Sequence, residues 1–278
     1  MSQYRVLIEA NDAKGIVHKV STIFFNHNLN ILSNHEFVDK ENDRFFMRSV
    51  VDGDVDLMQL EESLNKILSN DTSIKVIAPK KKNIILMATK EMHALGDILV
   101  RHEAGELEAN ILAVVSNYDK LESFVSKFDI PYITVSHENL DREEHEDKVI
   151  ECIQRYDDID YIVLAKYMRI LTPKFVETFE DKIINIHHSF LPAFIGANPY
   201  KQAYDRGVKI IGATSHFVNN DLDEGPIIAQ EVIHVDHAYS WKDMQRKGKD
   251  VEKIVLSRAL KLALEDRIFV HANKTVIF

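Results

Sequence analysis

The sequence predicts an α/β protein in two parts: an antiparallel sheet with two helices over residues 1–80, then a doubly wound, mostly parallel sheet over residues 83–278. Three observations carry that expectation. The first 80 residues read strand-helix-strand-strand-helix-strand, an order that puts both helices on one face of a small sheet. After Pro79 and Lys80-Lys81-Lys82 the pattern changes to strict strand-helix alternation. A chain of 278 residues that is 45% apolar and 9% aromatic can also fill one large core, or two of unequal size.

Taken in order, Tyr4 to Glu9 alternates as a half-buried strand, and Asn11-Asp12-Ala13-Lys14-Gly15 supplies turn and helix-start chemistry. Ile16, Val20, Ile23 and Phe24 follow at i, i+4, i+7 and i+8, the apolar face of a helix running to His27. Asn30 to Val38 and Arg44 to Val51 are two strands joined by the polar loop 39–43. A helix over Val55 to Ser69, with Leu57, Leu60, Leu64 and Leu68 on a shared face, and a strand over Ser73 to Ala78 complete a ferredoxin-like unit.

Beyond the lysine run, short β-rich segments fall at Asn83 to Ala88, Ala109 to Val115, Pro131 to Val135, Tyr161 to Ala165 and Ile183 to Ile186. Helical patterns lie between them near 91–103, 119–128, 142–156 and 173–179. Two further strands, Val208 to Val218 and Ile227 to Val235, surround an acidic loop. A long helix follows, with Val251, Ile254, Val255, Ala259 and Leu262 on its packing stripe. In doubly wound sheets ligands bind beyond the carboxyl ends of the strands, and Arg169, Asn185 and His187 fall at or just past such ends.

Composition narrows the function. Cys152 is the single cysteine, so no intrachain disulfide forms, and neither a signal peptide nor an 18-residue apolar run is present. These features predict a cytoplasmic protein without a membrane span. A net charge of −10 gives no broad phosphate-binding surface and argues against nucleic acid. Thirteen histidines invite a metal, with His187, His188, His216, His234 and His237 in the C-terminal half. No His-Glu-x-x-His helix or cysteine cluster accompanies them, and the prediction is no metal.

The informative break in pattern is Ile183-Ile184-Asn185-Ile186-His187-His188-Ser189-Phe190-Leu191-Pro192. It begins as a buried strand and then carries polar groups where apolar ones should continue. Because strand side chains alternate, Asn185, His187 and, if the strand lasts that far, Ser189 share one face, with Ile186 and His188 on the other. Either the amide and imidazole are satisfied core groups or they face a cleft. A second segment, Ser215 to Pro226, ends in an acidic loop that can bring Asp223 to the same strand ends. Amide, imidazole and carboxylate together suit attack on a carbonyl.

Asn185-Ile186-His187-x-Ser189-x-Leu191-Pro192, then His216-Phe217-Val218 and Asp223-x-Gly225-Pro226 seven residues after the histidine, resembles the folate-dependent formyltransferase superfamily. The stretch Leu164 to Leu171 looks like the one that lines its folate pocket. The resemblance implies Asn185, His187 and Asp223 as catalytic residues. It also implies Met168, Arg169, Ile170, Leu171, Ser189, His216 and Gly225 as substrate-binding residues. The N-terminal unit looks like an ACT domain, on topology and on Asp12-x-x-Gly15-Ile16-Val17. That implies either an amino-acid effector near Asn11, Asp12, Gly15 and Ile16 or a module used only for oligomerisation, and a homo-oligomer, dimer or tetramer. Superfamily members that formylate a phosphorylated amine use a glycine-rich loop after their first strand. Here the stretch is Ala88-Thr89-Lys90-Glu91-Met92-His93-Ala94-Leu95-Gly96, and water is left as the simplest nucleophile. The two-domain order is similar to the deformylase family, implying hydrolysis of 10-formyltetrahydrofolate, the substrate, with no cofactor. A formyltransferase with an amine acceptor and a non-catalytic folate or amino-acid sensor stay open. One departure from the family pattern is Asn198, after Ile195-Gly196-Ala197, where a basic side chain is expected.

Overall fold

The computed structural model describes residues 2–68, 71–193 and 198–278. The chain divides into two compact units, the first comprising residues 1–80 with 266–269 and 276–278, the second 81–265 with 270–275. The division falls within the lysine run that follows Pro79.

The first unit holds β1 (Ser2–Asn11), α1 (Ile16–Asn26), β2 (Asn30–Asp39), β3 (Arg44–Gly53), α2 (Leu57–Ile67) and β4 (Ser73–Ile77). Its strands lie in the order β2-β3-β1-β4, every pair antiparallel. Ile16, Val20 and Phe24 of α1 and Leu60 and Leu64 of α2 pack onto Val6, Ile8 and Met47 of the sheet. Gly15, at φ 85°, turns the chain into α1 from a left-handed conformation open to glycine at no steric cost. Helix α2 starts two residues later than periodicity indicates, because the Asp56 side chain caps it by accepting from the backbone N–H of Met58 and Gln59. Its expected end at Ser69 lies outside the described residues.

The second unit runs β5 (Lys82–Ala88), α3 (His93–Glu103), β6 (Ala109–Ser116), α4 (Glu122–Val125, continued by a 3-10 turn), β7 (Tyr132–Thr134), α5 (Arg142–Ile153), β8 (Ile159–Leu164) and α6 (Pro173–Thr178). It continues β9 (Ile183–His187), α7 (Pro199–Asp205), β10 (Ile210–Phe217), β11 (Ile227–His234) and α8 (Trp241–Leu264). The sheet order is β11-β10-β9-β8-β5-β6-β7. From β7 to β9 the strands are parallel; β10 and β11 run antiparallel. Strand β5 separates β6 from β8, so the order reverses between β5 and β8, the switch point at which such sheets open a ligand crevice.

Helix α7, the C-terminal strands and the packing stripe of α8 differ from expectation. Helix α7, opened by Asn198 at φ 54° with Pro199 at its first position, is too short to show periodicity. A terminal pair, β12 (Ile268–His271) and β13 (Lys274–Ile277), is also present. The buried stripe of α8 is Val251, Val255, Leu256, Ala259, Leu260 and Ala263, whereas Ile254 is 45% exposed. Cys152 packs in the core of α5, where burial raises its thiol pKa and leaves it a structural side chain. Among the described residues no helix is long and apolar enough to cross a membrane.

Candidate active site

At the carboxyl ends of β5, β8 and β9 the second unit encloses a cavity of about 480 Å³. One wall is built on β9. Asn185 and His187 share a strand face, as the period of two requires. The antiparallel neighbour β10 sets His216 opposite Asn185. The Asn185 amide Nδ2 then lies 3.2 Å from His216 Nε2, while His216 Nδ1 donates to the Phe217 carbonyl at 2.7 Å. With its proton committed at Nδ1, the His216 ring accepts from the amide at Nε2, and Asn185 keeps a second N–H. His216 is pushed below its ordinary pKa by burial, with the Phe217 carbonyl and Asp223 opposing.

Asp223 arrives on the loop after β10 with its backbone at φ 59°, a left-handed conformation that aspartate tolerates. Its Oδ1 is 3.2 Å from His187 Nδ1 and 3.8 Å from His216 Nε2. Burial alone would raise the Asp223 carboxyl; the His187 hydrogen bond, with the neighbouring imidazoles, holds it below the usual range. His187 Nδ1 faces this carboxylate, and its Nε2 is buried without a protein partner.

His188 departs from the sequence reading. The β9–β10 pairing stops at His187, and the chain then bends at His188 and Ser189, so alternation no longer sends the next side chain to the far face. His188 lines the same cavity, its ring centroid 5.3 Å from that of His187 and 6.0 Å from that of Tyr200. Burial, reinforced by the charge of Lys166, pushes its pKa down to about 4.

The opposite wall is a buried charge network centred on Glu252 of α8, whose side chain is 1% exposed. Its Oε2 accepts from His93 Nε2 at 2.7 Å and pairs with Lys166 Nζ at 3.3 Å, and its Oε1 accepts from the Tyr200 hydroxyl at 2.7 Å. Burial opposes ionisation, yet His93, Lys166 and Tyr200 bring the Glu252 pKa down to about 2. Tyr200 reaches this carboxylate only because position 248, one turn before it on α8, is glycine; a methyl group there would overlap the tyrosine ring. Glu91, which also lines the cavity, is lowered to about 2 chiefly by His93, with Lys249 3.1 Å away.

Met168, Arg169, Ile170 and Leu171 line the cavity where β8 exits, facing the loop 218–222. Their backbone is pinned: Met168 N–H donates to Thr89 Oγ1 at 2.9 Å, and the Leu171 carbonyl accepts from Arg142 Nη2 at 2.7 Å. Ser189 and Gly225, expected to touch substrate, are absent from this lining. The Ser189 hydroxyl is spent on the Ala193 carbonyl at 2.7 Å. Gly225 packs against the Phe217 carbonyl so closely that no side chain fits, and its part is to seat the Asp223 loop. Asn198 is in the cavity wall, whereas Ile195, Gly196 and Ala197 lie outside the described residues. In the first unit, the Asn11 amide bonds Asp71 and Arg44, Asp12 is exposed, and Ile16 is a core side chain, so only backbone at that position could meet a ligand.

Sequence reading placed Lys166 in the pocket-lining stretch 164–171 without a part of its own, and missed His188, Tyr200 and Glu252 as cavity residues. A signal for Glu252 was present: Gly248, Glu252 and Leu256 recur at i, i+4 and i+8, placing a carboxylate on the buried side of an amphipathic helix. Among the described residues no group of three or more His, Cys, Asp or Glu side chains is arranged to hold a metal ion.

The doubly wound sheet with an amide, two imidazoles and a carboxylate at its strand ends defines the second unit as a formyl transferase domain, and residues 82–260 match the formyl transferase family model. Residues 4–69 match the ACT domain model. The formyltetrahydrofolate deformylase of Haemophilus influenzae is 54% identical over 98% of both chains. The crystal structure of a formyltetrahydrofolate deformylase from Pseudomonas syringae pv. tomato superposes with a TM-score of 0.95 at 41% identity, covering 100% of this chain and 95% of that one. A phosphoribosylglycinamide formyltransferase from Anaplasma phagocytophilum covers 71% of this chain and 95% of its own, with a TM-score of 0.65 at 29% identity. The chain belongs to the formyltetrahydrofolate deformylase family.

Proposed function

We propose that the chain hydrolyses 10-formyltetrahydrofolate to formate and tetrahydrofolate, with water as nucleophile and Asn185, His187 and Asp223 acting on the reacting atoms. The observation that carries this reading is the His187 imidazole in the cavity wall, its Nε2 buried without a protein partner, with Asp223 at its Nδ1 and the Asn185 amide on the same strand face. The His187–Asp223 pair takes a proton from water as its oxygen bonds to the formyl carbon. The carbonyl electron pair moves to oxygen, where the second Asn185 N–H meets the developing charge. The imidazolium, stabilised by Asp223, returns the proton to N10 as the C–N bond breaks, the arrangement of an imidazole oriented by a carboxylate. Side chains and water suffice for every step, and the folate is substrate. The pteridine packs along 168–171 and the 218–222 loop, held largely by backbone groups.

A transferase with a phosphorylated amine acceptor fits less well. The formyltransferase structure covers 71% of this chain, where the deformylase relative spans 98%. Formate release from 10-formyltetrahydrofolate, measured with and without an amine acceptor, tests the reading. Release that required the amine would sink it.

For the first unit we propose an amino-acid effector at the turn of Asn11, Asp12 and Gly15, and self-association into a dimer or tetramer. Phe25 (81% exposed) and Phe37 on edge strand β2 (46%) support the second part, since a paired copy covers such surface. Sedimentation of the full chain as a monomer at micromolar concentration would remove it.

A further inference from the structure

Three imidazoles line the cavity; His187 and His188 are ring neighbours, and each has a different charge for company. His187 is backed by Asp223. His188 is faced by Lys166 after β8, Glu252 on α8, His187 on β9, Glu91 before α3, Tyr200 on α7 and, more weakly, Asp223 after β10. Lys166 is unusual among these. Its side chain is 5% exposed and its backbone sits at φ 65°, a left-handed conformation costly for a residue with a long side chain. A buried ammonium needs an anion, and Glu252 supplies it while His93 and Tyr200 occupy the rest of that carboxylate.

We propose that Lys166, anchored by Glu252, is a positioning residue for the reaction: its ammonium beside His188 leaves His187 as the imidazole that carries the proton. Two neighbouring imidazoliums oppose each other, so a cation fixed next to one reserves the other as the site of protonation. Burial acts on His188 in the same sense as Lys166; Glu252 and Glu91 oppose it and do not prevail. The proton that water gives up therefore has one destination, the nitrogen whose partner ring atom is hydrogen-bonded to Asp223.

This deepens the hydrolase reading and rests on it for its kinetic arm. The test uses the full chain with isotope-labelled histidine, the His188 ring being assigned from its loss in His188→Asn. In the wild type His188 stays neutral well below pH 6. In Lys166→Met its titration midpoint rises by about one pH unit or more, and Lys166→Arg returns it. Lys166→Gln, which can still donate to Glu252, serves if the methionine variant does not fold. The acid limb of kcat moves to higher pH in the Met or Gln variant and back in Lys166→Arg, a change that lost packing would not produce. An unchanged His188 midpoint in a folded Met or Gln variant overturns the proposal. A wild type that releases no formate would instead sink the hydrolase reading, and the titration would still decide what Lys166 does to His188.

Discussion

Asp223 and Glu252 are carboxylates in the wall of one cavity, both held ionised against burial, yet they are satisfied to different degrees. Glu252 is saturated by three partners, from α3, α7 and the loop after β8, and is 1% exposed. Asp223 has one imidazole at hydrogen-bond distance and a second at 3.8 Å, and the ring it holds ends in a nitrogen with no protein partner. A fully paired buried carboxylate rigidifies its surroundings. One whose partner ring keeps an open valence toward a cavity is equipped to pass a proton on. On the proposed reading it is unfinished hydrogen bonding, more than burial or charge, that separates Asp223 and its imidazole from Glu252.

Breaking the reacting side has the largest effect. Asp223→Asn is expected to lower formate production about 10³-fold or more, with KM within a few-fold, since the lost interaction is made chiefly in the transition state. Steady-state kinetics check both numbers, and a KM-only defect would remove Asp223 from the chemistry. The two histidines sharpen the contrast next. His187→Ala should cost about 10²–10⁴-fold in kcat, and His188→Ala clearly less, because only His187 has the carboxylate. Equal losses would mean that the partner does not define the catalytic ring.

On the saturated side the effect shifts from rate to stability. Glu252→Gln leaves the Lys166 ammonium buried without its anion and is expected to destabilise by about 3–5 kcal/mol, read by denaturant midpoint. A change below about 1 kcal/mol would show that the network is not structural. The smallest effect is one of pH. The folded pKa of His188 is depressed to about 4 from 6.5, so folding favours the neutral ring. Its contribution is present above pH 6.5 and is lost as pH falls toward 4. The melting temperature should therefore fall across that window, and less steeply in His188→Asn. Parallel curves for the two proteins would contradict the assignment.

How legible this was depended on the range of the rule being read. Period-two alternation paired Asn185 with His187 because both lie inside β9. It failed for His188 one residue later, where pairing with β10 ends and the chain bends. The elements of residues 1–80 could be read nearly to their ends, since α1 and β1 to β4 each carry a regular apolar repeat and polar turns between them, whereas nothing local announced that 266–269 and 276–278 join them. Helix α7 could not, its seven residues being fewer than two full turns of pattern. Glu252 was hidden for another reason: α8 is rich in acidic and basic residues, and one buried carboxylate among them differs only in its facing. The Lys166–Glu252 pair joins residues 86 positions apart (252 less 166), a distance over which no local periodicity speaks.

Gly248 has a consequence for anyone who would engineer this protein. A glycine inside a 24-residue helix is an obvious target for stabilisation, since alanine gains about 1 kcal/mol of helix propensity. Here the space that alanine would fill is already taken by the Tyr200 ring. The consensus-minded replacement therefore trades a local gain for a displaced tyrosine, a Glu252 oxygen without its donor, and a cavity wall reshaped from behind. Thermostabilisation of α8 has to be sought on its outer face, at positions such as the exposed Ile254.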